Sequence, residues 1–159
     1  MLLPDYASFT CVSRGQNHPH CGDRLLFEEE GLKVGWTESA GEDVQLIAVD
    51  DALITDTKRC DALFVSVKSD VVLTLVELKT AELQSAFSQL EATRYHENFR
   101  ALEEKCRSLR TKVRLRFVVV SSKKAVVRSN WLAQYKKRGI SLEVLNMEPY
   151  RGKVVKLSR

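Results

Sequence analysis

Two carboxylates and one amine define the chemistry available to this sequence. Asp61 stands at the head of one apolar run, and Glu77-Leu78-Lys79 closes the next. Side chains alternate along a strand, so Glu77 and Lys79 leave the same face about 7 Å apart along the chain. Pairing of the two runs as a hairpin brings the start of the first to the end of the second, and Asp61 joins the other two. Converging carboxylates repel unless positive charge sits between them, and a hard cation such as Mg²⁺ accepts one or two carboxylates plus waters. A cation so held binds a phosphate oxygen, acidifies a bound water and stabilises the leaving oxygen, with Lys79 orienting or deprotonating the attacking water. The chemistry expected of the trio is phosphodiester hydrolysis. The plain alternative is a structural Glu77–Lys79 or Asp61–Lys79 ion pair. Context favours chemistry, because Glu77 and Lys79 end a run of buried character where unpaired charges are costly.

The elements that must position these residues follow from periodicity. Val44 to Val49 and Cys60 to Val67 are rich in β-branched and aromatic residues, and Val71 to Lys79 is apolar enough for a central strand. Lys68-Ser69-Asp70 is a short polar connection that predicts a hairpin. From Ala81 to Leu109 there is neither Gly nor Pro, and Leu83, Ala86, Phe87, Leu90 and Ala101 share one face of a single long helix. Val113 to Val120 returns to strand character, Asn130 to Arg138 reads as a helix stopped by Gly139, and Ser141 to Leu145 and Lys153 to Leu157 read as late strands. Residues 1–24 and the stretch punctuated by Gly31, Gly35 and Gly41 read as irregular, with a short strand or helix over Leu25 to Glu29 and Trp36 as a core anchor. The expectation is one α/β domain with a mixed sheet flanked by helices: an irregular segment over 1–43, a βββαβ core over 44–120, and a helix with strands over 121–159.

Composition narrows the class. The chain has 159 residues, 44% of them apolar and 29% charged, with 7 Gly and 3 Pro, which excludes collagen-like and disordered classes. No run of about 20 apolar residues suggests a membrane span and the start lacks signal-peptide character, so the expected location is cytoplasmic, with Cys11, Cys21, Cys60 and Cys106 as reduced thiols. The net charge of +4 conceals an asymmetry: residues 1–80 carry −7 and residues 81–159 carry +11. A basic half of that size suggests a polyanion partner, since Lys and Arg that neutralise phosphates release counterions; a dipolar surface without a partner is the alternative.

The segments Lys58-Arg59-Cys60-Asp61-Ala62-Leu63-Phe64 and Leu75-Val76-Glu77-Leu78-Lys79-Thr80 resemble the PD-(D/E)XK nuclease superfamily, whose sites read Asp, a spacer, then Glu-X-Lys. The resemblance covers roughly Val44 to Val120, extends to small bacterial members, and implies a restriction-endonuclease-like fold. It implies Asp61, Glu77 and Lys79 as the catalytic set, with Asp61, Glu77 and the backbone carbonyl of Leu78 holding Mg²⁺, for which Mn²⁺ substitutes. It implies DNA as substrate, RNA being the other polymer open to the same chemistry. It also implies a role in restriction, repair or defence against mobile DNA, as a homodimer or beside a recognition or motor subunit. Cys60 occupies the position of the name-giving Pro. An early acidic residue often completes such sites, and the Glu28-Glu29-Glu30 run offers one without aligning to it. RecB-type members add a Gln and, four residues later, a Tyr; Gln89 matches, while Thr93 stands at the second position and Tyr95 is offset by two. The competing class is a noncatalytic nucleic-acid-binding or assembly subunit that keeps the fold.

Two further groups attract attention. Lys112, Arg114 and Arg116 share one face of the strand after the long helix and, with Arg107, Arg110, Lys123, Lys124, Arg128 and Lys136-Lys137-Arg138, form a candidate phosphate track, or else a solvated basic face. Cys11, His18, His20 and Cys21 could supply four zinc ligands, although their spacing fits no standard finger and plain loop residues are the default.

Overall fold

The computed structural model describes residues 1–79, 82–124, 126–147 and 153–159. A short 3-10 helix (Pro4–Phe9) precedes three strands, β1 (Cys21–Asp23), β2 (Leu26–Glu29) and β3 (Leu32–Trp36). Then come β4 (Asp43–Ala48), β5 (Ala62–Val67), β6 (Val71–Lys79), α1 (Leu83–Tyr95), α2 (Glu97–Leu109), β7 (Val113–Ser121), α3 (Ser129–Lys137), β8 (Ile140–Asn146) and β9 (Val155–Leu157). The larger sheet has the order β4-β5-β6-β7-β8. Its first three strands form an antiparallel meander, whereas β6, β7 and β8 are parallel and joined by helices, so the sheet is mixed.

Helices cover one face of this sheet and a second sheet covers the other. Alternation decides the two faces: Leu63, Val65, Leu73, Leu75, Phe117 and Val119 pack against Ala86, Phe87, Leu90, Phe99 and Leu102 of α1 and α2. Residues of opposite parity, including Leu46, Phe64, Val76, Val118 and Val120, pack against Phe27, Val34, Trp36, Val155 and Leu157 of the smaller sheet, ordered β1-β2-β3-β9. The protein is thus an α/β fold with two mixed sheets and helices on one side.

Three expectations fail here, each for a physical reason. The segment 1–43, expected to be irregular apart from a short strand or helix over Leu25 to Glu29, carries the 3-10 helix and three strands, of which β2 lies where that short element was expected. Its organiser is the two-residue turn Glu30-Gly31, where both φ values are positive (48° and 79°), the geometry that lets β2 fold straight back on β3 with Glu29 opposite Leu32. The long helix is two helices, because His96 is extended (φ −67°, ψ 140°) and its Nδ1 accepts the N–H of Asn98, capping α2; the expected start at Ala81 lies outside the described residues. The reduced-thiol expectation fails for one pair, since Cys11 and Cys21 form a disulfide with Cα atoms 5.4 Å apart. Cys60 and Cys106 are buried free thiols. No helix among the described residues is long and apolar enough to cross a membrane.

Candidate active site

The hairpin register assembles the predicted trio. Ala62 pairs with Val76, so Asp61, one residue earlier, lies opposite Glu77, one residue later, and the Asp61 N–H donates to the Val76 carbonyl at 3.1 Å. Leu73 and Leu75 point into the helix-side core, and Glu77 and Lys79 continue that face past its apolar end. The Lys79 Nζ lies 3.2 Å from Glu77 Oε1 and donates to Gln89 Oε1 at 2.8 Å. Gln89 is fixed in turn, its Nε2 donating to the Arg59 carbonyl at 3.1 Å. One turn on, Thr93 Oγ1 accepts the Cys60 N–H at 2.7 Å and donates to the Gln89 carbonyl at 2.9 Å. Helix α1 therefore holds both the amine and the segment leading to Asp61. Tyr95 stays out of the site and hydrogen-bonds Arg138.

Asp61 is 5% exposed and Glu77 1%. Asp61 Oδ2 accepts the Leu78 N–H at 2.5 Å, so Leu78 serves the site through its amide. Burial pushes the Asp61 carboxyl up to about 9, helped by the charges of Glu77 and Glu29 and opposed by the Leu78 amide. Burial also lifts Glu77, to about 8, because Lys79 offsets only part of the desolvation.

Two further carboxylates lie here, of which the sequence reading named Glu29 only within the Glu28-Glu29-Glu30 run and did not name Asp50. Glu29 at the end of β2 and Asp50 just after β4 come close to Asp61: one oxygen from each of the three lies within 4.8 Å of the others. Asp50 is also engaged by Arg59, which bridges it to Asp51. The recoverable signals were the Glu30-Gly31 turn, which fixes the register of Glu29, and the acidic residue directly following the Val44 to Val49 run.

These carboxylates suit a hard cation. Glu29 Oε2 and Glu77 Oε2 are buried with no hydrogen-bond partner among the described residues, and the donor set is all oxygen, the preference of Mg²⁺ or Mn²⁺. Glu42 provides an internal contrast. Also buried, it accepts hydrogen bonds from Trp36 Nε1 (3.0 Å), Ser39 N (2.8 Å), Ser39 Oγ (2.9 Å) and Ser66 Oγ (2.6 Å). Burial raises the Glu42 carboxyl, but those donors outweigh it and hold the group below its ordinary value. Glu42 is thus surrounded by donors, whereas among the described residues none meets Oε2 of Glu29 or of Glu77, Lys79 reaching only Oε1 of Glu77. An open cleft of about 470 Å³, bordered by Asp50, Lys58, Arg59 and Gln89, gives access from solvent.

The basic residues divide by register. Strands β6 and β7 are parallel, with Arg114 opposite Val72 and Arg116 opposite Thr74. That places them about 16 and 10 Å before the level of Glu77, with Lys112 further still. Both arginines are engaged within the chain, Arg114 with Asp70 at 2.6 Å and Arg116 with Glu143 at 2.9 Å. The structure does not bring Lys112, Arg114 and Arg116 to the site. Lys123, Lys124 and Arg128 instead follow Ser121, which is level with Lys79, and so lie beyond the site end of the sheet.

The zinc alternative fails at its ligands. Cys11 and Cys21 are bonded to each other rather than offered as thiolates. His18 Nε2 is 2.9 Å from the Asp50 carbonyl and His20 Nδ1 is 3.0 Å from the Glu28 carbonyl. Compared with known proteins, the chain matches no family model, no curated protein and no solved structure.

Proposed function

We propose that this protein is a divalent-cation-dependent nuclease that hydrolyses DNA phosphodiester bonds, with the β4-β5-β6-helix-β7 core in the role of a restriction-endonuclease-like scaffold. The observation that carries the reading is the pairing of Asp61 and Glu77 across one register step, beside Lys79, with a buried carboxylate oxygen of Glu77 that no donor meets among the described residues. Asp61 and Glu77, with the Leu78 carbonyl, hold Mg²⁺ or Mn²⁺. When bound, the cation supplies Lewis-acid chemistry, acidifying water and stabilising charge on the departing oxygen. Lys79, steadied by Gln89, orients the attacking water and offers its positive charge to the scissile phosphate. Lys123, Lys124 and Arg128 hold the nucleic-acid backbone without reading its sequence. Cutting both strands of a duplex with one site per chain calls for a homodimer or a partner subunit.

The test is incubation of the purified protein with linear, circular and single-stranded DNA and with RNA, in EDTA and with Mg²⁺ or Mn²⁺. Cation-dependent cleavage of DNA supports the reading. Salt-sensitive binding without cleavage under every condition refutes it and leaves a noncatalytic nucleic-acid-binding subunit.

A further inference from the structure

We propose that β8 is an interface strand, which pairs antiparallel with β8 of a second copy of this chain and joins the two larger sheets edge to edge. The pairing stands on sheet geometry alone and does not depend on the nuclease reading.

The larger sheet ends in two strands that the fold treats differently. The β4 edge is covered: Thr10 bridges Ile47, the Cys11 N–H donates to the Leu46 carbonyl at 2.9 Å, and Arg24 Nη1 donates to the Val44 carbonyl at 3.4 Å. The β8 edge has no such cover. Among the described residues β8 pairs with β7 alone, in one unbroken register from Ile140 to Asn146. The Met147 N–H donates to the Ser121 carbonyl at 2.7 Å, so by strand alternation Ser141, Glu143 and Leu145 turn their backbone groups to β7. Those of Ile140, Leu142 and Val144 point outward, and none of them meets a partner among the described residues. Open edges are commonly blunted by Pro, Lys or a bulge, and Ile140–Asn146 contains none of these.

The strand is complementary to itself. Centred on Leu142, a two-fold axis sets Leu142 opposite the partner's Leu142 and Ile140 opposite the partner's Val144, pairs that exchange about six main-chain hydrogen bonds. Their side chains all belong to the helix-side core, so the joint extends one apolar layer across both copies. On the other face Ser141 meets the partner's Glu143 in the closer kind of cross-strand pair, about 4.5 Å between Cα atoms. A hydroxyl there faces a carboxylate, already oriented by Arg116 at 2.9 Å, and no like charges oppose. Beside the edge runs a groove of about 510 Å³ bordered by Leu132 of α3, Ile140 and Leu142. Leu132 is 41% exposed, an apolar side chain that the partner's α3 covers. Lys136, which also borders the groove, lies one helical turn, about 6 Å, nearer the Ile140 end. The two-fold therefore sends the two Lys136 side chains to opposite ends of the joint. With the axis normal to the sheet, both sets of helices, and both Glu77–Lys79 pairs, lie on one side; that this supplies the second site for duplex cutting rests on the nuclease reading.

The experiment is sedimentation equilibrium of the full chain over about 1–100 µM, with hydrogen exchange at both ends of that range. The wild type should dimerise, and the Leu142 and Val144 amides should exchange more slowly at the high concentration than at the low. Ser141→Glu places a carboxylate against the partner's Glu143, and Leu132→Glu places two against each other near the axis. Each should raise the dimer Kd at least about ten-fold. Both residues are exposed, so the monomers should keep the wild-type circular dichroism. Val12→Glu, on a comparably exposed apolar residue beside the β4 edge, should leave the Kd unchanged. A wild type that stays monomeric throughout overturns the inference, as does a dimer indifferent to both Ser141→Glu and Leu132→Glu or one broken by Val12→Glu. The outcomes separate from those of the nuclease reading. A β8-paired dimer that cleaves no nucleic acid keeps this inference and refutes the nuclease; a monomer that nicks DNA with Mg²⁺ does the reverse.

Discussion

Stripped of divalent cations, the protein should lose stability as the pH rises through neutrality. Asp61 and Glu77 have folded-state pKa values near 9 and 8, raised above their ordinary values of 3.8 and 4.5. Such groups contribute stability that is fully present below the unfolded pKa and is lost as pH rises through the folded one. Two other groups set the window. Asp70, whose hydrogen bond from Arg114 lowers its carboxyl, loses its contribution only as pH falls through still lower values. His18, lowered by burial, acts in the opposite sense below about pH 6.5. From about pH 6.5 to 8 the carboxyl pair dominates, each member costing at most about 1.4 kcal/mol per pH unit, or about 3 kcal/mol together. For a domain of this size that is a fall in melting temperature of at most about 5–10 °C per pH unit. Melting curves in EDTA at closely spaced pH values measure it directly. Asp61→Asn should flatten the slope to about half, and saturating Mg²⁺ should abolish it, because a bound cation holds both groups ionised. A wild type whose EDTA melting temperature is level or rises across this window refutes the reasoning.

Gln89→Ala should release Lys79 and lower kcat for phosphodiester cleavage by about ten-fold or more while sparing the cation-dependent melting shift, as steady-state kinetics and melting on one preparation will show. Replacing both Cys11 and Cys21 with Ser should cost about 2–4 kcal/mol in denaturant unfolding and weaken Mn²⁺ binding, since the loop they close anchors the Glu28 and Asp50 backbones. Combined Lys123→Ala, Lys124→Ala and Arg128→Ala should reduce the salt dependence of DNA binding by about two to three phosphate contacts. Arg114→Ala should leave that dependence unchanged and cost at most about 1 kcal/mol of stability, its side chain being half exposed.

What could be read from the sequence tracks how local each pattern is. The β5-β6 hairpin was legible because two apolar runs flank a three-residue polar link, and the positions of Asp61, Glu77 and Lys79 at its end follow from strand alternation alone. The smaller sheet was not legible. Its strands are three to five residues long, and β9, which completes it, pairs Val34 with Val155, a contact that no local window contains. Glu29 was hidden for the same reason: within a run of three glutamates, only docking of this sheet distinguishes Glu29, turned towards Asp61, from Glu28, paired with Lys33. The break at His96 escaped notice because it needs neither Gly nor Pro, only an imidazole that accepts the Asn98 N–H. Arg114 and Arg116 formed a convincing basic face by alternation, yet alternation carries no information about Asp70 and Glu143, which engage them.

The central claim is most directly tested by nicking of supercoiled DNA with Mg²⁺, comparing the wild type with Asp61→Ala and Lys79→Ala variants whose folded content is verified by circular dichroism. The account predicts nicking by the wild type that EDTA stops and that both folded variants lack. Nicking retained in either folded variant, or absent from the wild type with Mg²⁺ and with Mn²⁺, would contradict it.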